Sequence, residues 1–403
     1  MSEQPLAISQ LNDFIFCPVS IFFHSLETEE NIMVQDSFQL NGTDAHKHSD
    51  SATYSTEKSV LQGVSVYCEK YNLVGKIDVF DEKTGILTER KKQIVFVLFN
   101  EGEKLAFSND NLVVKDSFGK VKFQCTCYRL FIVFAIGHTS ITSALIQKAQ
   151  KFGFYIALMT PGFRLYSIIG AQKDGNTLLH KKQYSYSDIG IAKIIVSNKM
   201  SNQLSELKSV RNKNEFIKEA IIKISEYIKK IPTASNINEL MAYEGLASKI
   251  YFKSHFNNVL WQGRQPRIKR DYVNSTLDIG YTLLFTFIDA LLSSYGFDNY
   301  CGIMHTQFYM RKSLVCDIVE PFRVLIDHEV KKAINLKQIK EEDFIIINHQ
   351  YRLKWDKSAD YVKILMKPLL DNKEGIFAYI QSYYRAFMKE LPPEKFPVFE
   401  IGD

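Results

Sequence analysis

Cysteine is scarce in this chain of 403 residues, which contains only six. No two of the six form a Cys-x-x-Cys pair, and the N-terminus carries no secretory signal. A disulfide framework is therefore not expected. The pattern instead favours a reduced, cytoplasmic protein.

Long apolar runs and a strong net charge are also missing. No apolar run reaches the roughly 18 residues that a transmembrane helix needs, and residues 130–136 are predicted to form a buried strand. Lys and Arg number 50 against 45 Asp and Glu, which gives a net charge of +5. This balance permits nucleic-acid binding but does not argue for it, so local basic patches must decide.

Apolar side chains, in contrast, are plentiful. With 46% hydrophobic and 24% charged residues, the chain can bury a core and is not disordered. Its length exceeds that of one ordinary domain. The patterns described below predict an α+β multidomain protein, with a separate segment at residues 1–93, a β-sandwich at 94–178 and an all-α helical bundle at 179–403.

The N-terminal segment is predicted to form a β-hairpin with charged arms. Strand patterns occupy residues 64–68, 73–80 and 86–91, and a turn at 81–85 joins the last two. Asp78 lies on one arm and Glu89-Arg90-Lys91 on the next. This is the arrangement of PD-(D/E)xK nucleases, in which a metal ion polarises the phosphate and a lysine stabilises the developing charge. The alternative is an ordinary hairpin with a charged exposed face, which a bare motif of this kind more often means.

A resemblance to a known family supports the nuclease interpretation. F-I-F-C-P-V-S-I-F-F, His46, G-K-I-D and E-R-K follow one another as at the start of the fourth family of CRISPR-associated proteins, RecB-like exonucleases that trim DNA. The resemblance implies a nuclease site of His46, Asp78, Glu89 and Lys91. It also implies that Cys17 is the first of four iron–sulfur ligands.

Beyond residue 93 the chain departs from that family, because the Gln-Tyr motif and the later cysteine cluster are missing. One thiolate cannot hold a four-cysteine cluster, so an iron–sulfur cluster is not expected. We interpret residues 1–93 as a truncated, inactive nuclease remnant. Two roles without chemistry stay open for it, namely holding a separate RecB-like nuclease and binding DNA overhangs.

Residues 94–178 change to a strand pattern. Seven short runs rich in β-branched and aromatic residues are separated by turn signals, and one helix is predicted at 140–153. The runs are I-V-F-V-L-F, K-L-A-F-S, N-L-V-V-K, V-K-F-Q-C-T-C-Y, L-F-I-V-F-A-I, Y-I-A-L-M-T and R-L-Y-S-I-I. They predict a β-sandwich or distorted barrel.

From residue 179 the pattern is helical. Long helices are predicted at residues 191–208, 212–231 and 273–295, and at 360–389 with a break at Pro368. Asn236 is predicted to cap a further helix, with Glu239 as its capping-box partner. The helix at 273–295 is apolar along much of its length and is predicted to lie at the centre of the bundle.

One more helix is predicted from Ser313 onward. Apolar residues recur there at helical spacing, whereas Asp317, Glu320 and Asp327 form one acidic side of the helix. Pro321 should kink the helix beside Glu320. Together with His305, such carboxylates are suited to a divalent cation. The alternative is a solvated acidic face, and on this stretch alone that alternative is favoured.

Two other features could complete such a site. Glu244 lies on an apolar helical stripe, where a carboxylate is costly unless it is paired or bound to a metal; pairing with Lys249 or Arg264 is the alternative. Between the acidic helices lies W-Q-G-R-Q-P-R-I-K-R-D, which is suited to binding phosphates. Its basic residues are Arg264, Arg267, Lys269 and Arg270. A lone basic run of this kind is usually only a solvated loop.

Four ordered blocks resemble the first family of CRISPR-associated proteins, the spacer-acquisition integrases. They are N-E-L-M-A-Y-E-G-L-A-S-K-I-Y-F, D-Y-V-N-S-T-L-D-I-G-Y-T-L-L, Y-C-G-I-M-H and S-L-V-C-D-I-V-E-P-F-R-V-L-I-D. The resemblance covers about residues 94–395. It implies a dimerising β-sandwich and a helical catalytic domain, with Glu244, His305 and Glu320 as catalytic metal ligands and Asp317 in support. The implied metal is Mg²⁺ or Mn²⁺, and Asp327 is interpreted as a structural or pairing residue.

The same resemblance implies a reaction and its partners. The 3′-hydroxyl ends of short DNA duplexes would be joined into a repeat array by transesterification, by a homodimer that works with a small second adaptation protein. Two rival functions stay open at this point: a metal-dependent endonuclease that cuts branched DNA, and a DNA-binding scaffold without activity.

Overall fold

The structure, a computed structural model, describes residues 93–170, 175–257, 261, 263–305 and 308–401 in full. Before residue 93 it describes the backbone of four strands: β1 (Leu6–Ala7), β2 (Val60–Cys68), β3 (Leu73–Asp81) and β4 (Ile86–Thr88). Strand β3 pairs antiparallel with β2 and β4 and parallel with β1. Asp78 lies in β3, but the rest of the predicted nuclease site falls outside the described residues, so that site stays a prediction. The undescribed members are His46, Glu89 and Lys91, and the implied iron–sulfur ligand Cys17 also lies outside the described residues.

The chain forms two compact units, and the first contains residues 1–134, 139–156 and 169–171. The border between the units passes through the last three of seven further strands. These are β5 (Gln93–Phe99), β6 (Lys104–Ser108), β7 (Asn111–Lys115), β8 (Val121–Thr126), β9 (Leu130–Gly137), β10 (Tyr155–Met159) and β11 (Leu165–Gly170). They form one sheet in the order β6-β7-β8 and another in the order β11-β10-β9-β5. The seven predicted strands are thus confirmed.

Helix α1 (Ser143–Phe152) interrupts these strands where a helix was predicted, and a 3₁₀ turn, Cys127–Arg129, separates β8 from β9. The side chain of Thr142 accepts a hydrogen bond from the backbone N–H of Leu145 at 3.3 Å and caps its start. Gly153 ends it with a φ of 70°, a left-handed conformation that glycine adopts without strain. Strand β9 is buried along most of its length, which matches its apolar sequence.

The second unit contains residues 135–138, 157–168 and 172–403 and is mainly helical. Its helices are α2 (Thr177–Ser185), α3 (Gly190–Ser209), α4 (Glu215–Lys230), α5 (Ile237–His255), α6 (Tyr272–Ser294), α7 (Ser313–Ile318), α8 (Arg323–Asn335), α9 (Ser358–Asp371) and α10 (Lys373–Met388). Helix α6 is long and apolar enough to cross a bilayer, but 83% of its most apolar window is buried inside the protein. Such burial is typical of a core helix, and it supports the predicted central place of α6.

Two predicted helices of this unit need correction. The predicted helix after Ser313 is two helices, because a 3₁₀ turn, Glu320–Phe322, separates α7 from α8 around Pro321. Pro368 does not break the last long helix but lies inside α9. The break comes at Asn372, whose backbone N–H and side chain both donate to the carbonyl of Pro368.

The second unit is also not all-α. Strands β12 (Phe344–Ile347) and β13 (Gln350–Leu353) form an antiparallel hairpin between α8 and α9. The two residues of its turn, Asn348 and His349, have φ values of 51° and 59°. Two consecutive positive φ values define the tight hairpin turn that Asn-Gly usually signals. With His in place of Gly that signal is weak, which explains why the sequence did not predict the hairpin.

Candidate active site in a basic cleft

A cleft of about 2320 Å³ opens in the second unit. Its lining includes ten Lys or Arg side chains and four Asp or Glu side chains. The basic residues are Arg164, Lys199, Lys249, Lys253, Arg264, Arg267, Lys269, Arg311, Lys312 and Arg323. The four acids are Glu244, Asp278, Glu320 and Asp327. Such an excess of positive charge raises the local concentration of a polyanion.

Glu244 reaches the cleft from the middle of α5. This helix begins at the predicted cap, because the side chain of Asn236 accepts a hydrogen bond from Glu239 N–H at 3.0 Å. The Glu244 carboxylate accepts a hydrogen bond from the Ser248 hydroxyl at 2.8 Å and forms an ion pair with Lys199. The predicted alternative partners, Lys249 and Arg264, are not those that it contacts.

Glu320 reaches the same point from the 3₁₀ turn at Pro321. Its Oε2 atom lies 2.6 Å from the Lys199 ammonium nitrogen, and its Oε1 atom accepts a hydrogen bond from Arg323 Nε at 3.0 Å. Burial alone would raise the pKa of Glu320, but the charges of Arg323 and Lys199 outweigh it and lower this pKa to about 2. Glu320 is therefore an ionised, buried carboxylate at any physiological pH.

Lys199 joins the two glutamates from a buried face of α3. Burial lowers the pKa of its ammonium group, but the carboxylates of Glu320 and Glu244 more than reverse this and raise it. Helix α3 also holds the turn that carries Glu320. The Asn202 side chain donates hydrogen bonds to the carbonyls of Pro321 and Phe399, each at 2.9 Å.

His305 is oriented by Asp317, a fully buried residue of α7. The Nδ1 atom of His305 lies 2.6 Å from Oδ1 of Asp317. The same carboxylate accepts hydrogen bonds from the backbone N–H groups of Ile303, Met304 and His305 at 2.6, 3.0 and 3.0 Å. With Nδ1 donating to Asp317, the Nε2 atom of His305 is left as the lone-pair nitrogen that can ligate a metal.

The donor set fits a divalent cation. Among the described residues, no three His, Cys, Asp or Glu side chains lie close enough together to hold a metal as they stand. The two carboxylates of Glu244 and Glu320 nevertheless already share one positive charge, that of Lys199. Carboxylate oxygens and an imidazole nitrogen are ligands that magnesium or manganese accepts. His305 interacts electrostatically with Glu320.

The predicted basic loop lines the cleft with three of its four cations: Arg264, Arg267 and Lys269. Arg270 is exposed and is not among the lining residues. The loop is fixed by Asp278 of α6, which pairs with Arg264 Nη2 at 2.5 Å and accepts from the backbone N–H of Arg267 at 3.0 Å. Arg267 and Lys269 both have positive φ values, 67° and 54°. The contacts with Asp278 therefore hold the loop in a defined conformation at the cleft.

Asp327, the third carboxylate of the predicted acidic face, has a different role. It is 1% exposed and accepts a hydrogen bond from the hydroxyl of Tyr281 on α6. Burial raises its pKa to about 7, although Tyr281 and Arg323 act in the opposite direction. The three acids therefore do not form one solvated face: Asp317 holds the His305 loop, Glu320 faces Lys199, and Asp327 pairs with Tyr281.

Two residues of this site were not singled out from the sequence. Lys199 lies on the buried side of α3 near Val196 and Met200, and a buried lysine signals a buried counter-charge. Arg323 stands three residues after Glu320, the spacing at which helical side chains pair.

Comparison with known proteins identifies relatives of this chain. A family model described as CRISPR associated protein Cas1 matches residues 96–366. The CRISPR-associated endonuclease Cas1 1 of Thermodesulfovibrio yellowstonii is 30% identical over 226 residues, which are 53% of this chain and 71% of that protein. The CRISPR-associated endonuclease Cas1 of Leptospira interrogans is 34% identical over 187 residues, covering 42% and 73%. A CRISPR-associated exonuclease Cas4/endonuclease Cas1 fusion of the same organism is 29% identical over 216 residues, covering 50% and 40%.

Solved structures share the fold. A Cas1 protein from Thermotoga maritima matches with a TM-score of 0.65 and 20% identity, covering 78% of this chain and all of that one, 100%. A chain of a Cas6-RT-Cas1–Cas2 complex matches with a TM-score of 0.68 and 22% identity, covering 78% of this chain and 37% of that chain. A casposase bound to its integration product gives a TM-score of 0.62 at 18% identity, covering 78% and 96%.

Proposed function

This chain belongs to the family of CRISPR associated protein Cas1, and we propose that it is a metal-dependent DNA integrase of CRISPR adaptation. In the proposed reaction the 3′-hydroxyl end of a short DNA duplex attacks a phosphodiester of the repeat array. One P–O bond forms and one breaks in each transfer, so a new strand joint replaces an old one. The observation that carries the proposal is that Glu244 and Glu320, which belong to separate elements, both contact the ammonium group of Lys199 inside a basic cleft.

Each residue has a proposed task in this reaction. Glu244, Glu320 and the free nitrogen of His305 would hold a Mg²⁺ or Mn²⁺ ion, which when bound polarises the phosphate and stabilises the developing charge. Asp317 fixes the ring of His305 through Nδ1. Arg264, Arg267, Lys269 and Arg270 would bind DNA phosphates.

A second function uses the same cleft. The curated relatives from Thermodesulfovibrio and Leptospira are named endonucleases, and water in place of a 3′-hydroxyl would turn strand transfer into cutting of branched DNA. The casposase with a similar fold is described as bound to an integration product. That description favours joining over cutting as the main reaction of this chain.

Partners follow from the chemistry of the proposed reaction. Insertion of a duplex joins two DNA ends to one target, which requires two active sites at a fixed separation, so we propose a homodimer in the cytoplasm. A small second adaptation protein would bridge the copies, since one similar structure is described as a Cas1–Cas2 complex. Because one relative is a Cas4/Cas1 fusion, a RecB-like nuclease is a further proposed partner, and the N-terminal segment its proposed contact.

The test is a strand-transfer assay with labelled duplex and a supercoiled repeat plasmid. We expect the wild-type protein with Mn²⁺ to join the label covalently to the plasmid, and His305→Ala to abolish joining while duplex affinity stays within about threefold. The exposed residue His138 supplies the control, and His138→Ala should join as the wild type does. Full joining by His305→Ala would exclude the proposed metal site. Plasmid nicking without joining by the wild type would favour the endonuclease, and binding without either would favour a scaffold.

A further inference from the structure

Tyr281 of α6 lines the cleft. One aspartate and two arginines contact it. Only 9% of the residue is exposed. Its hydroxyl donates a hydrogen bond to Oδ1 of Asp327, which is itself buried. The hydrogen bond to Asp327 therefore fixes the position of the ring, and Tyr281 still lines the cleft.

Two guanidinium groups lie over this one ring. The Cζ atom of Arg264 is 5.2 Å from the ring centroid and that of Arg323 is 4.6 Å. Arg264 comes from the loop before α6, and Arg323 is the first residue of α8. Cations within about 6 Å of an aromatic ring centroid are attracted to the ring. Their attraction to the ring therefore holds the guanidinium groups of Arg264 and Arg323 close together, although their like charges repel each other.

Each arginine is also anchored by one carboxylate. Arg264 Nη2 contacts Asp278 at 2.5 Å, and Arg323 Nε contacts Glu320 at 3.0 Å. The two side chains keep 12% and 28% of their surface exposed. Arg264 also donates from Nη1 to Oδ1 of Asn274 at 3.0 Å. A guanidinium has five N–H donors, so these contacts leave donors on both side chains for a further partner. An aromatic face, unlike a carboxylate, holds a cation without cancelling its charge.

We propose that Tyr281 is a positioning residue that assembles Arg264 and Arg323 into a phosphate-binding pair for the DNA strand that reacts at Glu320. Forked guanidinium groups match phosphate oxygens in geometry and charge. The pair adjoins Glu320 directly, because Arg323 already donates to it. The inference rests on the proposed function only in taking DNA as the ligand, and it assigns Arg323 and Tyr281 to substrate binding.

The salt dependence of duplex binding tests the proposal. The logarithm of the binding constant falls with the logarithm of salt concentration by about 0.9 per phosphate contacted. Arg264→Gln and Arg323→Gln should each make the slope shallower by about one unit. Tyr281→Met, which fills the space but removes the ring, should make it shallower by one to two units, about as much as both arginine variants together. Tyr281→Phe keeps the ring and should keep the wild-type slope.

A matched control is available in Tyr361, another buried tyrosine. It is 1% exposed, and its hydroxyl donates to Asp343 at 2.9 Å. It does not line the cleft, so Tyr361→Met should leave the salt slope unchanged even where it lowers the melting temperature. A similar flattening in this control would mean that the slope reports general loosening, and it would overturn the proposal.

Two further results would overturn it. One is a wild-type slope in a folded Tyr281→Met protein, with folding checked by circular dichroism. The other is a wild-type slope in both arginine variants, which decides the matter even if Tyr281→Met does not fold. Since only binding is measured, a wild-type protein that binds duplex but joins no strands would refute the proposed integrase and leave this inference intact.

Discussion

The ammonium nitrogen of Lys199 lies 2.6 Å from Oε2 of Glu320, at a position where it also contacts Glu244. Both ends of this contact are nearly buried, with 10% of the lysine side chain and 6% of the Glu320 side chain exposed. Buried charges are costly to desolvate, and removing one partner leaves the other without compensation. In the proposed site, a bound metal ion would relieve the same repulsion between the two carboxylates that Lys199 relieves.

Lys199→Met should therefore make the stability of the protein depend on metal. Without Lys199, Glu244 loses its ion pair and Glu320 keeps only that with Arg323. Breaking a buried ion pair typically costs about 3–5 kcal/mol. We expect a lower melting temperature in EDTA and a rise on adding Mn²⁺ that exceeds the rise seen for the wild type. Differential scanning fluorimetry over a Mn²⁺ titration measures both effects.

Lys312→Met is the matched control for that experiment. Lys312 forms an ion pair at 2.6 Å with Asp289, whose side chain is fully buried at 0% exposure. This variant should lose stability too, but Mn²⁺ should restore none of the loss. If Mn²⁺ stabilises Lys199→Met no more than it stabilises the control, Lys199 does not share its position with a metal.

The site around Glu244 and Glu320 shows which of its residues could be predicted from the sequence and which could not. Each carboxylate was identifiable as a charge on or beside an apolar helical stripe, and the family resemblance grouped both with His305. Their common cation was not identifiable, because Lys199 lies 45 residues before Glu244 and only tertiary packing of α3 against α5 brings them together. Periodicity predicts which face of one helix is buried, not which residue of another helix meets it.

The stretch from Ser313 to Asp327 shows the opposite limit. Helical spacing of its apolar residues was predicted correctly, but the spacing of its acids suggested one shared face. A 3₁₀ turn at Pro321 rotates α8 relative to α7, so a periodicity counted across the proline no longer applies. Asp317 and Asp327 consequently contact different partners, His305 and Tyr281.

Asp317→Asn should reduce metal affinity rather than DNA affinity. The carboxylate accepts hydrogen bonds from three backbone N–H groups and faces Nδ1 of His305. An amide in its place offers one oxygen and brings an NH₂ group against these donors, so the orientation of the His305 ring is lost. Loss of such a partner typically costs about 10–100-fold in metal affinity or activity. Strand transfer as a function of Mn²⁺ concentration should shift accordingly, and an unchanged Mn²⁺ dependence would contradict the assigned role.

Gly302→Ala should disturb the same loop by crowding. A Cβ atom at Gly302 would lie 2.6 Å from Cβ of Ser313 and 2.9 Å from Oδ2 of Asp317, well inside contact distance. Overpacking of this kind costs about 1–3 kcal/mol, and here it would also push Asp317 away from the His305 loop. We expect lower stability in urea unfolding together with reduced strand transfer at saturating Mn²⁺. Normal activity in the folded variant would show that the loop tolerates displacement.

Gly245 gives a contrasting prediction one residue from Glu244. A Cβ atom there would meet nothing within 4 Å. Gly245 lies in the middle of the α5 sequence and lines the cleft. Alanine is better than glycine in a helix interior by about 1 kcal/mol, so Gly245→Ala should raise the melting temperature. If a DNA strand occupies the open space beside Gly245, the same variant should weaken duplex binding. A more stable protein with unchanged affinity would mean that DNA does not approach this face.

Asp327→Asn should change how stability depends on pH. The pKa of Asp327 is raised by burial from an ordinary value of 3.8 to about 7, so between these values the folded protein holds a proton that the unfolded chain has released. Its contribution to stability therefore falls as pH rises through this window, and the full cost, on the order of 2–4 kcal/mol, applies above pH 7. Asparagine keeps an oxygen that accepts from Tyr281 and carries no charge. Urea unfolding at pH 5 and pH 8 should show a variant that gains stability relative to the wild type as pH rises, because the other titrating groups cancel in the difference. A difference that stays constant across this range would mean that Asp327 is ionised throughout and that a neighbouring arginine balances its charge.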